Sequence, residues 1–584
     1  MRSKSLLAAG AVLALAIPAL AQQAAQPPPA QPSPAPVSAN AASPAQPTPL
    51  TASPAGGDTS VAELTLQQLA PPPPPVEYPA HARRDPWVVG RLDPVAVGLG
   101  ENPWGAANGT FLSSLMRRMD TPIASRWAHI ALRNALVAKS RAPRAVNPID
   151  WVAERAWLLL RLGEADAARM LVADVDTDRF TPKLFQVGVQ SALANGDPPA
   201  LCPLQDGIRK YEPAIRALVS AMCASLSGEP ESASAQIDDA RRRGRIGGID
   251  LMLAEKVVGA GANTARSTTI EWDPVDRLTA WRFGLATATG IVPPDRLVRA
   301  ASPQLRAFEA RAPLLTADQR LESARVATGL GVLSSQSMID LYSTIYDSTD
   351  PSDLPGTDAW QVRQAFVGND RDAKLGAFRK LLGGAKDPLQ HEAMRALLGR
   401  AASLIQPDPE LEKDAPELIS AMLAAGYDRA AQRWIAVTRR MDGEPGDRCW
   451  AMLVLASPDP RGLDLSTSRI NAFIGRDKSP DKVRSALLVA GLAGLGRITA
   501  DGADSLSRRN ELGLGRQSVW TRMVDAAAGR AQPASVLILA GTGLQTADFV
   551  GVPGAHMYHI IGGLIRTRQD YAARMIAAEA LSRT

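Results

Sequence analysis

The sequence predicts an all-α protein of degenerate helical hairpins, α-solenoid-like in kind, behind a disordered Pro/Ala-rich N-terminal arm. Apolar residues recur at three- and four-residue spacing through most of the chain, as in Trp151, Ala156, Leu158, Leu159 and Leu162, which marks one buried helix face. The Val/Ile/aromatic alternation that a sheet needs is almost absent. Gly or Pro interrupts the apolar pattern roughly every fifteen to twenty residues, which is the punctuation of helix followed by turn.

In chain order, residues 1–21 read as a signal peptide. Arg2 and Lys4 precede an apolar run from Leu6 to Ile17, which has signal-peptide length and is too short to cross a bilayer. Pro18 breaks that run, and Ala19-Leu20-Ala21 supplies the small-x-small pattern of a cleavage site, so cleavage is expected after Ala21. With no cysteine at the junction to carry a lipid and no twin-arginine pair, the expectation is a periplasmic protein exported by the general secretory route, with no membrane span after cleavage. The alternative, a buried N-terminal helix, sits badly with the proline-rich tract that follows at once.

Residues 22–83 are Pro, Ala, Gln, Ser and Thr with few large apolar side chains, a composition that cannot offset ordering entropy, and are expected to be a disordered arm. Within it, Val61 to Leu69 could form a transient helical turn, and Pro71 to Pro75 favour polyproline II. A loop-rich lead-in, 84–108, carries Trp87 and Trp104. The helical body spans 109–584, with possible divisions near 265–275 and 440–480.

A faint period runs through the first part of the body. Leu162-Gly163-Glu164, Asn195-Gly196-Asp197, Ser227-Gly228-Glu229 and Ala260-Gly261-Ala262 place glycine after a helix at separations of 33, 32 and 33, in the range of tetratricopeptide-type repeats. Ala167, Ala200 and Ala265 follow three of these glycines by four positions, where a small side chain lets the next helix pack closely. Later, LVLAS ending at Ser457 and LLVAG ending at Gly491 lie 34 apart, while LILAG ending at Gly541 is out of phase. Stacked hairpins would bury their faces on one another and leave a long curved surface suited to a partner; an irregular helical bundle is the alternative.

Charge gives little sign of a polyanionic partner. Removing Arg2 and Lys4 takes the formal net charge from +5 to +3, too small a surplus for a nucleic-acid footprint. Arginine clusters such as Arg241-Arg242-Arg243 and Arg439-Arg440 read as solvated helix faces. Of the 3 cysteines, Cys202 and Cys223 stand 21 residues apart, close enough for adjacent helices to bring them together as a disulfide, with Cys449 free and buried. Equally, all three could be small core residues.

The stretch NPWGAANGTFLSSLMRRMDTPIASRWAHIAL, followed by WVAERAWLLLRLGEADAARMLV, resembles an uncharacterised family of exported alphaproteobacterial proteins, best over residues 102 to about 202. Some of them carry an antifreeze-glycopeptide label, which implies ice binding through Ala-Ala-Thr arrays; the arm here has no such array. The helical pattern also resembles tetratricopeptide or Sel1-like repeats, whose usual role is to bind other proteins, with their large-residue positions matched in part.

Local catalytic and metal motifs fail one by one. His391-Glu392 is followed by Arg395 where a helix-borne zinc site needs its second histidine. His556 and His559 could share a helix face but have no third ligand close in sequence. Asp174, Asp176 and Asp178 imitate a calcium loop, yet Arg179 and Phe185 occupy the positions that need glycine and glutamate, so a solvated loop is expected. Glu231-Ser232 is the one counterpart of a lytic transglycosylase Glu-Ser pair, without its aromatic partner. Ser479 and Lys482 enclose Pro480 in a loop, and Gly541-Thr542-Gly543 lacks the lysine of a phosphate loop. No residue is assigned a catalytic, cofactor-binding or metal-binding role, and no cofactor is expected.

The function expected is therefore a periplasmic helical-repeat scaffold that binds one or more envelope proteins, with enzyme activity unsupported by motifs. Two alternatives are a peptidoglycan-directed envelope hydrolase with an unrecognised site, and a wall-associated structural protein acting through its arm. A buried pair of carboxylates in a deep cleft would favour the hydrolase; a groove between helices would favour the scaffold.

Overall fold

The computed structural model describes residues 79–119, 122–244, 246–262 and 269–584. The expected signal peptide and the expected arm as far as residue 78 lie outside them. The last residues expected in the arm are part of the body: Ala80–Ala82 form a 3-10 turn and the Arg83 guanidinium reaches the Asp178 carboxylate at 3.0 Å. Among the described residues the chain is helical almost throughout, and no helix is long and apolar enough to cross a membrane. The exception is a two-stranded antiparallel ribbon, Val88–Val89 with Ser140–Arg141, pairing Val88 with Arg141 and Val89 with Ser140.

The helices start and stop for local reasons. Asn147 caps the helix Pro148–Arg161 by accepting from the backbone N–H of Ile149 and Asp150, and Pro148 occupies a first-turn position where its missing N–H costs nothing. Thr181 caps Pro182–Ala194 in the same way. Helix ends recur in one form: the N–H two residues past the cap returns to a carbonyl five residues earlier, as Glu164 to Leu159, Asp197 to Ala192, Glu229 to Ala224 and Gln569 to Leu564. The residue before each donor is left-handed. Gly163, Gly196 and Gly228 fill that place, so three of the four glycines of the period are real hairpin turns. Gly261 instead ends the helix Gly248–Gly261, and Ala265 lies outside the described residues.

An open solenoid would bring each hairpin against its neighbours alone. Here the chain closes. The last helix, Asp570–Ser582, packs on Arg126–Val137 near the start of the body, as well as on Ala415–Ala424, Gly443–Ala456 and Val483–Gly494; Pro533–Gly543 packs on Arg126–Val137 too. Closure explains the three apolar echoes. LVLAS, LLVAG and LILAG lie in helix segments buried on every side, and Leu453, Leu488 and Ile538 are each fully buried because other helices surround them. At one tight crossing, a Cβ on Gly399 would lie 2.3 Å from the Ala421 carbonyl oxygen, so glycine is required for Pro388–Ser403 to lie against Ala415–Ala424.

The core divides, but not near 265–275 or 440–480. Val258 and Leu278, on either side of the first expected division, share one core; Leu423 and Leu487 share another across the second. One cluster holds the core residues from Val89 to Val187 and Ala194 together with those from Ala307 to Leu581, and we call this the main body. A smaller cluster runs from Val189 to Val298, the lobe, with Phe180 and Phe308 packed against both. The lobe is a single excursion out of the main body and back, and the described residues 269–275 are a loop inside it.

Candidate functional site

The seam between lobe and main body holds a groove of about 650 Å3. The main body contributes Ala165, Asp166 and Arg169 from the helix Ala165–Val172, and Phe308 from Pro303–Glu309. From the lobe come Leu226, Val257 and Phe283. Gly196 turns the chain at its edge with φ +59°, where a Cβ would stand 3.0 Å from the Thr287 hydroxyl oxygen. Past Phe308 and Ala194 the surface continues into a second hollow of about 280 Å3, where Trp157 is 38% exposed.

The polar groups on the groove wall are already committed. Arg169 pairs with Asp197, and Arg311 with Asp166. The Asn195 amide donates to the Ala165 and Ser191 carbonyls at 3.0 and 2.7 Å, and the Thr287 and Thr289 hydroxyls donate to Phe283 and Leu285 carbonyls at 2.8 and 3.0 Å. What faces an occupant is therefore apolar surface edged by balanced ion pairs. The second hollow differs: the amides of Gln190 and Gln304 beside Trp157 make no hydrogen bond among the described residues, and each offers a donor and an acceptor.

The structure joins Cys202 to Cys223, with their Cα atoms 5.6 Å apart. The bridge ties the 3-10 helix Pro198–Leu204 to the helix Arg216–Leu226, and both reach the groove, through Pro198 and Leu226. Cys449 is free and buried, and burial pushes its thiol up to about 12.

The other residues singled out in sequence stand apart from one another. His559 Nδ1 lies 2.9 Å from Asp525, while His556 rests on the Trp520 ring at 4.3 Å, so the two histidines do not converge. Glu231-Ser232 sits in the exposed first turn of Pro230–Arg243, with Ser232 accepting from Gln236. Gly543 is the last residue of a helix, pressed on Trp520. The triple-aspartate loop is not merely solvated. Asp174 receives Arg91, Asp176 accepts from the Arg84 N–H, and Asp178 receives Arg83, so the loop clasps the lead-in segment to the body. Among the described residues, no group of three His, Cys, Asp or Glu is placed to hold a metal ion.

A buried carboxylate pair does exist, but it is not in a cleft. Glu392 and Glu579 are 2% and 4% exposed. Glu579 accepts from the Ser125 hydroxyl (2.5 Å), the Arg126 and Trp127 backbone N–H groups (2.8 and 3.2 Å) and Arg583 (2.8 Å), capping the helix Arg126–Val137 from the far end of the chain. Burial, with the Glu392 charge nearby, pushes its carboxyl above the usual range despite Arg583. This is a structural clasp.

Sequence reasoning also missed the buried arginines. Arg126 donates to the Thr328 and Ala424 carbonyls (3.0 and 2.7 Å), and Arg155 to those of Leu136, Val89 and Ala138 (2.7, 3.1 and 3.0 Å). Apart from Val89, on the ribbon, these carbonyls belong to the last turns of helices, where the partial negative charge favours a cation. Burial pulls Arg155 down to about 10, which leaves it a cation at neutral pH. Arg241, Arg242 and Arg243, by contrast, are exposed and pair with Asp238, Asp239 and Glu255.

Comparison of the chain with protein-family models, with curated proteins and with solved structures finds no match.

Proposed function

We propose that the protein is an exported periplasmic scaffold that holds an extended segment of an envelope protein in the groove between lobe and main body. The observation that carries this reading is the state of the wall: its charged and hydroxyl groups are satisfied within the protein, and apolar side chains face the opening. Such a surface gains by covering apolar area and has no free acid, base or nucleophile to offer a reaction. Trp157 and Phe308 supply aromatic anchors of the kind that dominate binding energy, and the Gln190 and Gln304 amides match the N–H and C=O of a peptide backbone.

A photo-crosslinking residue at position 157 tests it, with Val367 and Val519, 60% and 65% exposed in the main body, as control positions. In intact envelopes, position 157 is expected to give discrete protein adducts that unlabelled protein competes away. The same adducts from the controls, or none from position 157, would sink the scaffold.

A further inference from the structure

Where the ends of the main body meet, a separate cavity of about 470 Å3 opens between the loop 96–99, the helix Arg126–Val137 and the start of Asp570–Ser582. It is lined by an aromatic pair and a polar rim. Trp127 and Tyr571 meet edge to face with centroids 5.5 Å apart, Tyr571 is 42% exposed, and its hydroxyl donates to the Gly426 carbonyl at 3.3 Å, which fixes the ring. Gln569 spends its N–H on the Gly98 carbonyl and keeps its side-chain oxygen uncommitted, and Asp570 is held by Arg574 at 2.8 Å. The side chains of Asn134 and Arg568 make no hydrogen bond or ion pair among the described residues.

Arg568 stands in the left-handed position of its turn. It has φ +62°, at the position that Gly163, Gly196, Gly228, Gly290, Gly331, Gly426 and Gly496 fill in the corresponding turns, and that Glu511 and Ala531 fill in two others with φ +58° and +52°. A left-handed conformation is unfavourable for any residue with a Cβ, so glycine can replace Arg568 without straining the turn.

We propose that this cavity binds a pyranose ring of a glycan. A sugar presents C–H groups on a face that can lie on an aromatic ring and hydroxyls around its edge, which suits an aromatic wall ringed by uncommitted donors and acceptors. A purely apolar ligand would strip water from Asn134, Gln569 and Arg568 without replacing those bonds. A phosphate would meet one uncommitted cation beside the Asp570 carboxylate. The site shares no residue with the groove, and the proposal stands without it.

Titration calorimetry of the whole secreted chain with chitotriose and with maltotriose tests the proposal. At least one is expected to bind saturably, Tyr571→Ala to weaken that binding tenfold or more, and Arg568→Gly to weaken it several-fold. Because glycine accepts the left-handed turn, Arg568→Gly is expected to keep or raise the thermal midpoint, so its loss of binding cannot be put down to unfolding. Trp157→Ala is expected to leave sugar binding unchanged. If neither trisaccharide binds, or if Arg568→Gly binds as the parent does, the proposal is overturned.

Discussion

The main body and the lobe are built from the same hairpins and held together in opposite ways. In the main body the decisive contacts join distant parts of the chain: Ser125 and Glu579 are 454 residues apart, and Arg126 reaches Ala424 across 298. The lobe is continuous from Val189 to Val298, and its crosslink spans 21 residues. One region depends on buried charge brought from far away and the other on neighbours plus a covalent bond. The lesson is that similar hairpins do not imply similar cooperativity; what closes them decides where the protein yields first.

The sharpest break of this comparison is Glu579→Ala. It would leave Arg583 and the N-terminal N–H groups of Arg126–Val137 buried without their acceptor, at a cost of about 3–5 kcal/mol. Urea unfolding is expected to show the loss, and hydrogen exchange to place it in the main body while lobe amides keep their protection. Replacing Cys202 and Cys223 by serine is the converse, expected to cost about 3 kcal/mol through loop entropy and to speed exchange in the lobe alone. If exchange in Asp570–Ser582 rises equally, the two regions are one cooperative unit.

Two glycines sharpen it further. Gly399→Ala drives a Cβ into a main-body helix crossing, and Gly284→Ala places one 2.4 Å from the Leu193 carbonyl oxygen in the lobe. Each is expected to cost about 1–3 kcal/mol, read in the same urea experiment, with faster exchange confined to its own region.

The smallest effect is pH. Asp447 is part-buried, which would raise its carboxyl, but Arg476 and Arg469 outweigh burial and hold it below the usual range; Ser479 and Ser485 do the same for Asp477. A carboxylate depressed in the folded state binds fewer protons than in the unfolded chain, so its stabilisation is present above the ordinary carboxylate pKa of about 4 and is lost as pH falls through it. Both residues lie in the main body. The thermal midpoint is expected to fall with acidification below about pH 5, and less steeply in Asp447→Asn.

What was legible in the sequence follows the same division. Helix periodicity and the glycines at 163, 196 and 228 are local signals, and they name the class and three of the turns. The closure was not legible, because nothing near Ser125 says that Glu579 will cap it. Nor were the buried arginines, since Arg155 among apolar neighbours reads as the edge of a stripe until the carbonyls of Leu136 and Ala138 are known to face it. The groove and the hollow beside it draw Trp157, Phe283 and Phe308 from three separate stretches. One clue was available: Trp157 falls outside the apolar stripe of its own helix, and a large aromatic on the solvent side is a candidate contact.

The Glu579 clasp also sets a clock. At a synthesis rate of about 5–20 residues per second, the 454 residues between Ser125 and Glu579 take roughly 20 to 90 s to appear. For that interval the N-terminal helices are complete as a sequence but lack their cap, and the apolar side of Arg126–Val137 that Asp570–Ser582 will cover has no cover. The chain must be kept from aggregating until Asp570–Ser582 arrives, and a chain cut short before Asp570 would have nearly all of these hairpins and no closed body.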